Sequence, residues 1–86
     1  MKILHILRNK GDHYAVHMAL QQAKEGGHDV AILLLHDAVF EAPLEGVKTF
    51  ASRKDVLARG ITSHAELVDY PQIVDLIFKY DSSICW

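Results

Sequence analysis

The chain has 86 residues, half of them apolar, with nine Lys and Arg against eleven Asp and Glu for a formal net charge of -2. A single domain of this length buries only somewhat more than roughly 60% of its unfolded surface, which leaves no room for a separate catalytic domain. The scattered basic residues form neither a nucleic-acid groove nor a patch for an anionic membrane, and no apolar run of about 18 residues is present to span a bilayer. With one cysteine there is no disulfide within the chain, so a cytoplasmic protein is expected.

Lys2 to Leu7 reads as a first strand, with only His5 interrupting its apolar run. The run is too short for a signal peptide and leads into Asn9-Lys10-Gly11-Asp12 without a small-residue cleavage site. Asp12 is a good N-cap for a helix reaching about Glu25, where Gly26-Gly27 stops it. At 100° per residue, Ala15, Val16, Met18, Ala19, Leu20 and Ala23 cover an arc of about 200°, wider than packing on one sheet requires. His13, His17, Gln21 and Lys24 share the opposite face.

Val30 to Leu35 is six consecutive apolar residues bounded by Asp29 and by His36-Asp37. It does not alternate as a half-exposed strand would and is too short for a buried helix, so it reads as a strand covered on both faces, the kind found in parallel sheets. Ala38 to Gly46, with Pro43 and two glutamates, is expected to be a loop containing a short helical turn. Val47 to Ala51 is a third strand. Ser52 then stands at an N-cap with Asp55 three positions on, a variant capping box opening a short helix from Arg53 to Arg59 that ends at Gly60.

After the polar loop Thr62 to Glu66, Leu67-Val68 and their neighbours make a short fourth strand. Asp69-Tyr70-Pro71 starts the last helix, because proline in the first turn gives up only an amide hydrogen that would be unpaired anyway. From Ile73 to Tyr80 only Asp75 and Lys79 are polar, and with Gln72 they form one narrow stripe. Ser82 to Trp86 reads as a terminal edge strand. This order of elements predicts an open α/β fold with right-handed crossovers. So short a chain has little helix to cover two sheet faces, and the wide apolar arcs of the first and last helices point to burial against other subunits.

Three groupings of residues could carry chemistry. His36, Asp37, Ser52 and Arg53 follow the second and third strands at their carboxyl ends, where parallel sheets collect ligands. An imidazole beside a carboxylate suits acid-base work, and free amides at the start of the Arg53 helix suit an anion such as a persulfide or phosphate. The plainer alternative makes Asp37 a turn cap and Ser52 a helix cap. His13 and His17 have the four-residue spacing of a two-nitrogen metal clamp, but neither Cys85 nor a glutamate in metal-motif spacing joins them, so a solvated face is expected and no metal or other cofactor. His5 reads as a satisfied core histidine. Cys85, between Ile84 and Trp86, reads as a small residue packed on the terminal strand, where an apolar setting makes a thiol inert. A persulfide carrier at Cys85 is the competing reading.

Leu33-Leu34-Leu35-His36-Asp37-Ala38-Val39, Val47-Lys48-Thr49-Phe50-Ala51, Asp55-Val56-Leu57-Ala58-Arg59-Gly60-Ile61, Leu67-Val68-Asp69-Tyr70 and Trp86 together resemble the DsrH/TusB branch of the DsrE-like sulfur-relay family. The resemblance spans nearly the whole chain and implies a single three-layer α/β/α domain. Its five-stranded parallel sheet has the Val30 strand in the centre and the C-terminal strand beside the first. It also implies assembly, either as a homo-oligomer or with TusC-like and TusD-like (DsrF-like and DsrE-like) subunits. The expected role is in passing sulfane sulfur toward 2-thiolation of the tRNA wobble uridine or in sulfur oxidation. Relatives usually have Gln-Asp-Gly-Val where this chain has His36-Asp37-Ala38-Val39, and the sulfur-carrying relatives place a cysteine where this chain has Ser52-Arg53. An accessory or scaffold subunit is the leading expectation, ahead of a Cys85 sulfurtransferase or a small homo-oligomeric anion-binding protein.

Overall fold

A computed structural model describes residues 1–44 and 46–86; Glu45, within the expected loop, lies outside the described residues. The strands are β1 (Lys2–Leu7), β2 (Asp29–Leu34), β3 (Lys48–Ser52), β4 (Glu66–Val68) and β5 (Ser82–Cys85). The helices are α1 (His13–Lys24), α2 (Arg53–Ala58) and α3 (Tyr70–Lys79), and a 3-10 helix spans His36–Phe40. All strand pairs are parallel, in the order β4-β3-β2-β1-β5, so β2 is central and β5 lies beside β1.

The apolar runs of β1 and β2 are buried on both faces because each strand has helix above and below. Ile3, Leu7, Val30, Ile32, Leu34 and Ala51 point to one side, where Ala15 and Ala19 of α1, Ala38 and Val39 of the 3-10 helix and Val56 of α2 meet them. Leu4, Ile6, Ala31, Leu33, Phe50 and Val68 point to the other and meet α3, through Leu76 with Ile73 and Tyr80, beside Leu35. The layers are therefore unequal: three helical elements cover one face and a single ten-residue helix covers the other.

Local signals set the helix ends. Asp12 accepts from the Ala15 amide at 3.1 Å, and Ser52 from the Asp55 amide at 3.4 Å. Asp69 and Gln72 form a reciprocal capping box ahead of Pro71, in which the Asp69 amide donates to Gln72 Oε1 at 2.6 Å. Gly27 (φ +65°) follows the α1 C-cap and Gly60 (φ +62°) follows that of α2, a left-handed conformation that a Cβ would penalise.

The wide arc of α1 is absorbed within the chain: Val16, Leu20 and Ala23 all pack on the sheet-facing cluster, since the alanines let the helix lie close to the strands. The arc of α3 is not absorbed. Tyr70, Ile77 and Phe78 remain exposed.

Candidate functional site

The carboxyl ends of β2 and β3 bring the 3-10 helix against α2. His36 opens the turn with φ +54°, a left-handed conformation uncommon for a residue with a Cβ, and its amide donates to Asp55 Oδ2 at 3.0 Å. Asp55 is held in place by its position in the first turn of α2. The Arg59 guanidinium lies between two carboxylates. Its Nε and Nη2 donate to Asp37 Oδ1 at 3.1 and 3.0 Å, and its Nη1 lies 3.5 Å from Asp55 Oδ1.

Burial works against the charged form of Asp55. The His36 amide, the Ser52 hydroxyl and the positive charges of Arg59 and of a protonated His36 outweigh it, holding the carboxyl below its ordinary 3.8.

Of the four residues expected here, the fold brings His36 and Asp37 together, with Nδ1 3.7 Å from Oδ2, joins Ser52 to His36 through Asp55, and turns Arg53 away. Ser52 is buried, its hydroxyl engaged as the α2 cap. Arg53 turns away to pair with Asp69 at 3.2 Å, linking the start of α2 to the start of α3. The His36 side chain is 70% exposed and that of Asp37 55%, so the pair faces solvent and does not line the expected crevice. The site can present an imidazole backed by a carboxylate to something that docks. Both nearby guanidiniums are already paired, so an anion would have to compete with Asp37, Asp55 or Asp69 for them.

Sequence reasoning missed Arg59 and the bridging role of Asp55. The signal was present in the four-residue spacing from Asp55 to Arg59, which puts both on one side of a helix.

Cys85 is exposed, contrary to the packed position expected from its neighbours. In a strand, adjacent side chains point to opposite faces. Ile84 and Trp86 pack with the α1 side, while Cys85 faces the α3 side at the β5 edge, which the single short helix leaves uncovered. His13 and His17 are both exposed on α1, and among the described residues no three His, Cys, Asp or Glu side chains gather as metal ligands. His13 borders a cavity of about 90 Å³ between α1, the 41–44 segment and the sheet, walled mainly by Leu7, Val16, Ile32 and Leu34. No helix among the described residues is long and apolar enough to cross a membrane.

His5, expected to be a satisfied core histidine, is fully buried with both ring nitrogens engaged. Trp86 Nε1 donates to Nδ1 at 2.9 Å, which leaves the proton on Nε2 to bond Gln22 Oε1 at 2.6 Å. Tyr14 meets the indole edge-on at 5.5 Å, and Arg8 Nε donates to the Trp86 carbonyl at 3.4 Å.

The whole chain superposes on the whole chain of the crystal structure of the E. coli YchN protein with a TM-score of 0.74 at 16% identity, a likeness of fold. Comparison with curated proteins gave no match. The sequence model of the DsrH like protein family matches residues 12–83, from the α1 cap into β5. Since that match takes in most of the chain, the protein belongs to the DsrH-like family.

Proposed function

We propose that this chain is an accessory subunit of a sulfur relay, TusB-like or DsrH-like, which positions DsrE-like and DsrF-like (TusD-like and TusC-like) partners and does not itself carry sulfur. It would support sulfane-sulfur transfer toward tRNA 2-thiolation or sulfur oxidation in the cytoplasm. One observation carries this reading. At the place where sulfur-carrying relatives hold a cysteine, Ser52 is buried and committed to capping α2, and Arg53 is paired with Asp69. No nucleophile is presented there. The exposed His36 and Asp37 then serve as a contact surface next to a partner's reactive group, with the Arg59 fork fixing their position.

The test is purification of the tagged chain with whatever chains accompany it, followed by sulfur transfer in the reconstituted complex. Transfer should require the chain and survive Cys85→Ser.

A second reading is favoured by one finding: the sole thiol is exposed, as a carrier requires. Incubation with a sulfane-sulfur donor followed by intact-mass measurement separates the two. A gain of one sulfur atom that vanishes in Cys85→Ser, together with loss of relay activity, would make Cys85 the carrier.

A further inference from the structure

Side chains in natural domains leave few voids larger than a water molecule, since each void forfeits contacts. At about 90 Å³, the cavity beneath residues 41–44 is several times larger than one water needs. It lies against the carboxyl ends of β1 and β2, whose last residues, Leu7 and Leu34, form its floor with Ile32. Val16 of α1 and Leu44 close its sides. These five side chains carry no polar atom. Thr49, the buried polar residue in the wall, is satisfied within the chain: its hydroxyl donates to Val47 O at 3.1 Å and accepts from the Leu44 amide at 3.4 Å. Charged and titratable groups stand only at the rim, where His13 is exposed and Glu41 half-buried.

The segment over the cavity is tied down from outside. Glu41 Oε1 accepts from the Gly11 amide at 2.6 Å, and Lys10 Nζ lies 5.4 Å from the centre of the Phe40 ring. Both ties run to the loop that leads into α1, so the roof is anchored beside the helix instead of collapsing onto the floor.

The lining decides what such a space accepts. A buried water needs about two to four hydrogen-bonding partners, which these walls do not offer, and an anion would meet the Glu41 carboxylate at the entrance. Volume decides the rest. An apolar cavity of about 150 Å³ takes up xenon or benzene, and about three-fifths of the space that benzene fills holds about four non-hydrogen atoms.

We infer that this cavity is a binding site for a small, uncharged, apolar molecule of about four non-hydrogen atoms, entered between His13 and Glu41. A ligand of that size reaches a dissociation constant on the order of 1 mM. The inference is independent of the relay reading, and either can fail alone.

Ethyl methyl sulfide, uncharged and of this size, is the probe. At about 10 mM it should lower the unfolding equilibrium constant of the wild-type chain about elevenfold, read as a rise in the urea midpoint. In methyl-resolved NMR spectra its effects should fall on Leu7, Val16, Ile32, Leu34 and Leu44, and spare Leu4 and Leu33 on the opposite face of the sheet. Acetate, equal in size but charged, should produce neither response. Val16→Phe fills the cavity from α1 and should abolish both; Ala42→Leu, which fills it from the roof and leaves the helix intact, takes its place if Val16→Phe does not fold. Methyl shifts that are absent, or spread equally over both faces of the sheet, would overturn the inference. So would an unmoved urea midpoint, an equal response to acetate, or a response that survives in a folded, cavity-filled variant.

Discussion

Trp86→Phe should be far more destabilising than its small loss of volume suggests. Phe retains the ring contact with Tyr14 and the stacking on His5, whose ring lies 6.0 Å away at 18°. It removes the indole N–H and leaves Nδ1 of a fully buried imidazole without a donor. Stranding a buried acceptor costs about 1–3 kcal/mol, and the lost packing adds about 1 kcal/mol. Against a total stability of roughly 4–13 kcal/mol for a chain of this length, a loss of about 2–4 kcal/mol moves a urea midpoint by one to a few molar. The explanation is tested in a His5→Leu background, where no acceptor remains and Trp86→Phe should cost only the packing component of about 1 kcal/mol. Urea unfolding followed by far-UV circular dichroism measures all four proteins, since the variant lacks the chain's single tryptophan. An equal cost of Trp86→Phe in both backgrounds would refute the hydrogen-bond argument.

Four further outcomes are expected. His36→Gly relieves the left-handed backbone at φ +54° and should hold or raise the urea midpoint, by up to about 1 kcal/mol, although the hydrogen bond from residue 36 to Asp55 is retained. Ser52→Ala removes the α2 cap and should cost about 1 kcal/mol by the same measurement. The depressed carboxyl of Asp55 contributes stability that is present above the unfolded value and lost as pH falls through the lower folded value. Asp55→Asn should therefore flatten the decline of stability below about pH 4, and an unchanged decline would remove Asp55 as its source. Cys85, exposed on β5, should alkylate in the native protein at a rate close to that in urea; strong native protection would contradict its placement.

The fold was legible in the sequence because its main signals are local. The unbroken run Val30 to Leu35 can only be a strand covered on both sides, and Asp12, Ser52, Asp69 and Gly60 punctuate helices where their chemistry requires. Strand adjacency in chain order correctly put the residues after β2 near those after β3. Which side chains join there was not legible, because the answer lies one helical turn further on, where Arg59 claims Asp37 and leaves Arg53 to Asp69. The misplacement of Cys85 has a similar origin. Its apolar sequence neighbours belong to the opposite face of the strand, and only the shortness of α3 decides that the thiol's own face is bare. The apolar arcs of α1 and α3 look alike on a helical wheel. They differ in outcome because α1 presents Ala15 and Ala19 to the sheet, whereas α3 rests on bulkier side chains and carries its aromatics away from it.

β1 pairs with β5, the strand most distant from it in sequence among those described. The Lys2 amide donates to Asp81 Oδ2 at 2.8 Å and the Trp86 amide to Ile6 O at 2.9 Å, contacts that close loops of nearly the whole chain. The contacts among β1 to β4, α1 and α2 are closer in sequence, and their assembly completes one layer. Until α3 and β5 follow, Leu4, Ile6, Leu33 and Phe50 stay open to water and the outer edge of β1 has no partner. An open apolar face beside an unpaired edge is the form most prone to stick to other chains. For this fold, the interval between formation of the first layer and docking of α3 with β5 sets how long that hazard lasts.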